Sequence, residues 1–312
     1  MNKNVIKHRI PCTREQWLEQ RLKGIGGSDA GALLGFNQYK SAYTLWCEKT
    51  GRVHKDVDNE AMRLGRDLED YVAQRFAEDT GKKVRKSSFS YQSKEYPFML
   101  ANVDRFIQGE DAILECKTTS ALTRTKYDKG DIPASYYAQC MHYLAVTGCK
   151  KAYIAVLVLG KNFYWFEIER NEEEIQALIE SEKAFWECVT SDSEPNIDSS
   201  DSTSESLGMM YSDSNNNEPI EMFGMDEKVH KYLEISEQIK NLEKEKKLIE
   251  NELKHDLGEC ENGYVEGYIV NWKPFTTSRL DTSKLKKEHP DIYDEYSKES
   301  TSRRFNVKEV NK

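Results

Sequence analysis

The sequence lacks the closely spaced cysteines of metal-thiolate and disulfide-rich proteins. Its seven cysteines are odd in number, and no two of them form a Cys-x-x-Cys pair. This pattern argues against a disulfide framework and against a thiolate zinc or iron–sulfur site. We therefore expect free thiols and a reducing, cytoplasmic setting.

Long apolar runs are also missing. No stretch approaches the ~20 apolar residues that a membrane-spanning helix needs, and the first residues, Met-Asn-Lys-Asn-Val-Ile-Lys-His, lack the apolar stretch of a signal peptide. The composition, with 38% hydrophobic and 32% charged residues, is that of a globular protein. No membrane partner is expected.

A basic excess is absent too, since the formal net charge is −9. Residues 191–225, however, contain eight acidic residues and no Lys or Arg, so the rest of the chain carries a charge of only −1. Clustered basic residues in that remainder can still form a surface for nucleic acid. The negative net charge therefore does not exclude DNA binding.

The chain divides by composition into three parts. Residues 1–190 form a body, residues 191–225 are predicted to be an acidic, solvated linker rich in Ser, Asp and Asn, and residues 226–312 form a C-terminal region. In the body, the pattern predicts the order α-α-α-β-β-α-β-β-α, an α/β fold with a mixed sheet flanked by helices. The C-terminal region is predicted to hold a helix over 226–257 and a hairpin over 264–273.

The helix over 226–257 places Ile235, Ile239, Leu242, Ile249 and Leu253 at three- and four-residue spacing, with Lys246 where an apolar residue is due. An amphipathic helix packed on its own domain is favoured over an intermolecular coiled coil. Both alternatives stay open.

A hairpin in the middle of the body carries a group of charged residues. The strands are predicted at 98–107 and 112–118, around the turn Gln108-Gly109-Glu110-Asp111. With Gly109 and Glu110 at its centre, paired residue numbers sum to 219, so Asp104 lies opposite Glu115. Opposed side chains are roughly 5 Å apart, and Lys117 points to the same face because side chains alternate along a strand.

Two carboxylates at that distance repel each other unless a cation lies between them. Mg²⁺ is the natural candidate and Mn²⁺ an alternative, because both prefer oxygen ligands. The charges also lie within the apolar strand Ile113–Lys117, where unpaired charges are costly. An ordinary cross-strand Lys–Glu pair on a surface hairpin is the simpler alternative.

Two further polar residues lie on apolar helix faces. Glu69 falls on the stripe of the helix predicted at 60–80, and Gln139 falls on that of the helix predicted at 134–147. Taken singly, Glu69 fits a buried salt bridge to an Arg, and Gln139 fits a hydrogen-bonded core amide. Together with the hairpin charges, they indicate a functional site.

This set of residues resembles the PD-(D/E)xK nuclease superfamily, and more closely the YqaJ-type viral recombinases and lambda-type exonucleases. The resemblance spans residues 13–170 and includes Trp17–Arg21, Ile25–Ala30 and Tyr136–Gln139. It implies a restriction-endonuclease-like core and a 5′→3′ exonuclease that acts on linear double-stranded DNA ends and leaves 3′ overhangs for recombination. It further implies a single-strand annealing protein as partner, a homotrimer, and the bacterial cytoplasm for a phage-encoded chain.

The resemblance also implies residue roles. Asp104, Glu115 and the Cys116 carbonyl would bind the metal, and Glu69 would complete a second metal site. Lys117 would orient or help deprotonate the attacking water and stabilise phosphate charge, while Gln139 would hold this arrangement.

Arg21 and Ser28 would bind the 5′-terminal phosphate. Physical chemistry agrees, because Ser28 is predicted to cap a helix N-terminus, which attracts anions, and Arg21 adds bidentate charge. A plain helix cap is the alternative for Ser28.

Three other functions remain open at this stage. An endonuclease or resolvase of the same superfamily would use the same acids without a 5′-phosphate pocket. A non-catalytic DNA-binding recombination protein would keep only the fold. A coiled-coil interaction protein would rest on residues 226–257 alone.

Overall fold

The structure, a computed structural model, describes residues 5–10, 13–54, 58–121, 127–213, 219–299 and 303–309. It divides into two compact units, Met1–Tyr211 and Ser212–Lys312. No helix within the described ranges is both long enough and apolar enough to cross a membrane.

The first unit combines helices with two sheets. Its described helices are α1 Arg14–Leu22, α2 Gly27–Leu33, α3 Ala42–Lys49, α4 Glu60–Thr80, α5 Ala134–Thr147, α6 Glu172–Thr190 and α7 Asp201–Met210. Its described strands are β1 Val5–Arg9, β2 Ile25–Gly26, β3 Val84–Lys86, β4 Phe89–Ser93, β5 Met99–Ala101, β6 Arg105–Ile107, β7 Ala112–Thr119, β8 Lys151–Val158 and β9 Phe163–Glu169.

The larger sheet has the strand order β3-β6-β7-β8-β9. Strands β7 and β8 are parallel and are connected through α5, whereas the other neighbours are antiparallel. Arg105 pairs with Leu114 and Phe106 with Ile113, so paired numbers sum to 219 as the turn predicted. The predicted mixed sheet flanked by helices is confirmed.

Apolar side chains cover both faces of this sheet. On one face, Val72 and Phe76 of α4 pack against Leu114 and Tyr153. On the other face, Ile113 and Ile154 pack against α5 and α6. The charged residues of β7 therefore lie in a strand that is covered from both sides.

The predicted strand 98–107 is wrong as a single element. Its first part, β5, belongs to a second sheet with the order β1-β4-β5-β2, and its last part, β6, belongs to the larger sheet. The chain changes sheets over residues 102–104, and the Asp104 carboxylate there accepts a hydrogen bond from the Cys116 N–H. An apolar pattern alone cannot reveal such a change of partners.

Residues 201–210, expected within a solvated linker, instead form α7, which packs on α3. The Ser41 hydroxyl hydrogen-bonds that of Thr203 at 2.7 Å, and the Thr44 hydroxyl hydrogen-bonds that of Ser206 at 2.9 Å. Ser202, Thr203 and Ser206 are buried. Buried hydroxyls are tolerated because they are hydrogen-bonded. The polar composition of this segment therefore wrongly predicted that it is solvated. Residues 214–218 of the expected linker lie outside the described residues.

The second unit holds α8 Asp226–Leu257, the hairpin β10 Asn262–Val265 and β11 Tyr268–Asn271, and the short helices α9 Thr282–Glu288 and α10 Pro290–Tyr296. The predicted helix and hairpin are thus confirmed. The apolar residues at three- and four-residue spacing along α8 are exposed. The sequence favoured burial of these apolar residues against their own domain, but the structure leaves them exposed.

Candidate active site

The acidic half of the candidate site is built by the β6–β7 pairing. Asp104 directly precedes β6, and its Oδ2 atom accepts a hydrogen bond of 2.8 Å from the backbone N–H of Cys116. The register of the two strands, continued by one residue, places Asp104 opposite Glu115. The predicted cross-strand relation of these two acids is present in the structure.

A single amide joins Glu115 to Lys117. The Lys117 Nζ atom donates to the Gln139 Oε1 atom at 2.9 Å and lies 2.8 Å from Glu115 Oε1. The Gln139 Nε2 atom in turn donates to the same Glu115 Oε1 at 2.6 Å. Gln139 therefore fixes the position of Glu115 relative to Lys117. Its predicted role in the site requires these two contacts.

Two tyrosines complete this group, and the sequence reading gave neither a role of its own. The Gln139 amide also donates to the Tyr143 hydroxyl at 3.2 Å, and the Lys117 ammonium lies 5.1 Å from the centre of the Tyr136 ring. Tyr143 is four residues after Gln139 on α5. That helical spacing was the available signal, because residues four apart share a helix face.

The electrostatics of the carboxylates favour neutralisation by a cation. Burial, followed by the neighbouring charges of Glu115 and Glu69, raises the pKa of Asp104 well above its usual range. Burial likewise raises the pKa of Glu115, although Lys117 opposes the shift. Carboxylates that are costly to ionise together bind a cation readily when one is supplied.

The charge of Lys117 is stabilised by the same carboxylates. Burial alone would lower the pKa of Lys117, but the adjacent Glu115 and then Asp104 outweigh burial and leave it raised. The side chain is therefore held as an ammonium, a donor of hydrogen bonds and positive charge.

One oxygen of Glu115 fits a metal ligand. The Glu115 side chain is only 5% exposed, and among the described residues its Oε2 atom is buried without a hydrogen-bond partner. A buried carboxylate oxygen without a partner is costly. The carboxylates of Asp104 and Glu115 are oxygen donors of the kind that Mg²⁺ and Mn²⁺ prefer, so the residues present fit such an ion.

Two side chains of the hairpin, those of Asp104 and Glu115, are the candidate ligands. Within the described ranges, no group of three or more His, Cys, Asp or Glu side chains is arranged to bind a metal. Two carboxylates with a backbone carbonyl, completed by water, agree with that finding and suit Mg²⁺, which retains several waters.

Cys116 contributes no thiolate. Burial raises the pKa of its thiol well above the usual range, with Asp104 as the next cause. The side chain packs with the apolar residues beneath α4, because alternation along the strand points it to the opposite face from Glu115 and Lys117. Only the backbone carbonyl of Cys116 is a candidate ligand.

Glu69 makes the salt bridge that the sequence offered as the alternative to metal binding. Its carboxylate accepts a hydrogen bond of 2.6 Å from Arg105 Nη1, and the Arg105 side chain is almost fully buried. Arg105 also donates to the Asp104 carbonyl oxygen at 2.7 Å. Arg105 thus connects Glu69 to the backbone of Asp104. Arg105 was not identified as a site residue from the sequence, and its position directly after Asp104 was the only indication of such a role.

A second polar cluster forms where α1 meets α2. The Arg21 Nη2 atom donates to the Ser28 hydroxyl and to Asp29 Oδ1, each at 3.0 Å. The predicted proximity of Arg21 and Ser28 is therefore present. Trp17 lies against the guanidinium, with its ring centre 4.9 Å away.

The prediction that Ser28 caps α2 is wrong. Gly26 is the N-cap residue, and its N–H donates to Asp29 Oδ2 at 3.0 Å. Ser28 lies in the first turn with an exposed side chain. The carboxylate three residues after the cap satisfies the helix terminus, which leaves the Ser28 hydroxyl facing solvent beside Arg21.

Lys49, at the end of α3, is a further member of this cluster that the sequence reading missed. Its Nζ atom donates to Asp29 Oδ2 at 2.9 Å, to the Arg21 carbonyl at 2.6 Å and to the Gly24 carbonyl at 2.7 Å. A lysine at the end of a helix ordinarily faces water, so nothing local to the sequence identified it.

Close backbone packing connects the two clusters. A Cβ atom at Gly27 would lie 2.4 Å from a ring carbon of Tyr143 and 3.0 Å from Cγ of Gln139. Glycine at this position lets α2 approach α5 closely. The Arg21 cluster and the Gln139 group are therefore connected through the close packing of α2 against α5.

Known proteins resemble this chain in sequence and in fold. The profile of the family described as "YqaJ-like viral recombinase domain" matches residues 16–150. The YqaJ protein of Bacillus subtilis (strain 168) is 43% identical over 311 residues, which covers 98% of each chain.

Two crystal structures of an alkaline exonuclease from Laribacter hongkongensis are similar in fold. The complex with dAMP gives a TM-score of 0.50 at 19% identity, and the other structure gives 0.49 at 18%. Each match covers 57% of this chain and 93% of the exonuclease.

Proposed function

This chain belongs to the family of YqaJ-like viral recombinases, and on that premise we propose that it is a metal-dependent exonuclease of double-stranded DNA. The observation that carries the proposal is the buried Glu115 oxygen that lacks a hydrogen-bond partner among the described residues. It lies beside Lys117 and Gln139 and across the hairpin from Asp104. The alkaline exonuclease that shares this fold supports the assignment to nucleases.

We propose Mg²⁺, or Mn²⁺ in its place, as the cofactor. Asp104, Glu115 and the Cys116 carbonyl would hold the ion, which would supply Lewis acidity toward the scissile phosphodiester and the attacking water. Glu69 would complete a second metal site; its Oε1 atom accepts from Arg105, so its Oε2 atom is the one proposed for that ion.

The side chains of the site have distinct tasks in this proposal. Lys117, held as an ammonium, would donate to a non-bridging phosphate oxygen and stabilise the charge that develops there. Gln139 would keep Lys117 and Glu115 in register, since it hydrogen-bonds both.

Arg21 and Ser28 would bind a 5′-terminal phosphate. Both present hydrogen-bond donors beside the start of α2, and Arg21 adds positive charge. Recognition of a 5′ phosphate gives 5′→3′ degradation of one strand and leaves a 3′ overhang. The sequence family favours this direction.

The experiment that tests the proposal uses end-labelled linear duplexes and a covalently closed circle, each incubated with Mg²⁺, Mn²⁺ or EDTA. We expect mononucleotides to be released from 5′ ends of the linear DNA, the circle to stay intact, and EDTA to stop cleavage. Incision of the circle would replace this proposal with an endonuclease of the same superfamily. Binding without cleavage in either metal would indicate a non-catalytic recombination protein.

We extend the proposal to assembly and setting by family resemblance. A homotrimer, a single-strand annealing protein as partner and the cytoplasm of a bacterial host complete the proposed function. Sedimentation of the purified chain tests the trimer, and a monomeric mass at working concentrations would contradict it.

A further inference from the structure

Lys49 is a charged residue that the proposed chemistry does not use. Its side chain is only 3% exposed, although a buried charge is costly unless it is fully paired. Its three hydrogen bonds, to the carbonyls of Arg21 and Gly24 and to the Asp29 carboxylate, use all three hydrogens of an ammonium. These three acceptors hold the residue in one position, and Asp29 opposes the lowering of the Lys49 pKa by burial.

Asp29 lies between Lys49 and Arg21. Its side chain is 2% exposed, with one oxygen 3.0 Å from Arg21 and the other 2.9 Å from Lys49. Burial alone would raise the pKa of Asp29, but Lys49 and then Arg21 outweigh it and leave the pKa lowered. Lys40, which is also near, pairs with Glu48 at 2.6 Å. The inner cluster thus contains two cations and one anion.

Arg21 is the member of the cluster that faces outward. Its side chain is 29% exposed, and among the described residues only its Nη2 atom donates hydrogen bonds. The Nε and Nη1 hydrogens stay available for a ligand. With Lys49 in place, the two cations and one anion leave a net charge of one positive unit, and Arg21 is the cation that faces solvent. Without Lys49, Asp29 would neutralise Arg21.

We propose that Lys49 is a positioning residue for recognition of the 5′ phosphate, because it offsets the charge of Asp29, so that the cluster keeps a net positive charge and the Nε and Nη1 hydrogens of Arg21 can bind the terminal phosphate. Its bond to the Arg21 carbonyl also fixes the end of α1 from which that side chain extends. This inference rests on the proposed end recognition by Arg21 and Ser28.

The test measures the equilibrium binding of two duplexes that differ only in a 5′ phosphate or a 5′ hydroxyl. Binding is followed in EDTA, so that the result does not depend on cleavage. The ratio of the two Kd values gives the phosphate preference. We expect Lys49→Met, which keeps the length of the side chain and removes its charge, to lower the preference of the wild type by roughly tenfold.

A double variant separates charge balance from structural support. In Lys49→Met with Asp29→Asn, the anion that would neutralise Arg21 is removed as well, while the carbonyl oxygen of the introduced amide can still accept from the Gly26 N–H. We expect the double variant to regain most of the phosphate preference. If Lys49 had only a structural role, the double variant would have a phosphate preference as low as that of Lys49→Met, or lower, because two buried residues are changed.

The outcomes distinguish this inference from the proposed function. Equal Kd values for the two duplexes in the wild type would contradict 5′-phosphate recognition itself. A wild-type preference that Lys49→Met retains, or that the double variant does not restore, would overturn the role of Lys49 alone. Thermal melting of each variant checks folding, and the double variant keeps the test decisive if the single variant does not fold.

Discussion

At the scale of single residues, Gln139 joins the acidic and basic members of the candidate site through one amide. Its oxygen accepts from Lys117 and its nitrogen donates to Glu115, which assigns the orientation of the amide without ambiguity. A neutral residue suits this position because it adds no charge to a group that already contains the carboxylates of Asp104 and Glu115. It restrains Glu115 at one oxygen and leaves the other oxygen open for a cation.

The two charged partners of Gln139 give the first prediction. Glu115→Gln removes a proposed metal ligand, and Lys117→Met removes the proposed charge stabilisation. Each is expected to lower the rate of cleavage by about 10² to 10³-fold or more, measured on a linear duplex at saturating Mg²⁺.

Glu110→Gln is the matched control, since Glu110 lies in the same hairpin but pairs with Lys82 at the surface. Its rate should stay close to that of the wild type. Circular dichroism and melting check that all three variants fold. Full activity of either site variant would contradict the assignment.

A second prediction concerns the buried pair of His142 and Glu182. The His142 Nδ1 atom lies 2.7 Å from Glu182, and its Nε2 atom lies 2.8 Å from the Leu100 carbonyl. Burial alone would lower the pKa of His142, but Glu182 and the hydrogen bonds outweigh burial and leave it raised. The pair therefore contributes stability that is complete below the unfolded pKa and is lost as pH rises through the folded pKa.

Glu182→Gln tests this sign. The variant keeps the hydrogen-bonding oxygen but removes the charge, so it should unfold more easily than the wild type by about 3 kcal/mol at about pH 6. The difference should shrink toward about pH 9. Denaturant unfolding at several pH values measures it, and a difference that grows with pH would contradict the assigned shift.

The sequence predicts those residues of the site that obey local rules. Asp104, Glu115 and Lys117 follow from strand alternation and from the register set by the turn, and Gln139 follows from helical periodicity. Ser28 was misassigned as a cap because Asp29, the next residue, competes for the same helix terminus. Lys49 could not be predicted, since its burial depends on how α3 packs against the α1–α2 loop.

At the scale of elements, α2 packs closely against α5 at Gly27, which has no side chain. Gly27→Ala would drive a methyl group into Tyr143 and Gln139, both of which are buried. Overpacking of this kind costs about 1–3 kcal/mol. We expect Gly27→Ala to lower the melting temperature and also the rate of cleavage, because Gln139 must move.

Gly208→Ala is the control for that prediction. Gly208 lies inside α7, and a Cβ atom there meets nothing within 4 Å. Alanine is the better helix former, so this variant should be more stable than the wild type by about 0.5–1 kcal/mol, with cleavage unaffected. A Gly27→Ala variant as stable and active as Gly208→Ala would show that α2 can shift without consequence.

Elements with strong periodicity and clear ends were predictable, and others were not. The helix 134–147 ends at Gly148 and that over 60–80 ends at Gly81, both in the left-handed conformation that glycine favours. The division of 98–107 between two sheets was hidden, because apolar residues are present in both β5 and β6. Helix α7 was hidden for the opposite reason, since it is buried through hydroxyl groups.

At the scale of the whole molecule, the residues of the candidate site lie within the first unit. Every described residue of the candidate site and of the Arg21 cluster precedes Tyr211, the last residue of that unit. The core domain that the sequence placed at 1–190 is thus better proposed as 1–211, because α7 packs on α3. Tyr43 and Cys47 of α3 contact Met210 at the end of α7.

Two truncations test this boundary. The fragment 1–211 retains α7 and both sheets, so we expect it to unfold cooperatively and to cleave linear DNA in Mg²⁺. The fragment 1–190 lacks α7 and exposes the apolar side chains beneath it, at a cost of about 1.5–3 kcal/mol for each large side chain uncovered. Its free energy of unfolding should be lower than that of 1–211 by at least about 2 kcal/mol. Equal stability of the two fragments in denaturant would place the boundary at 190, and failure of 1–211 to fold would show that the core depends on the second unit.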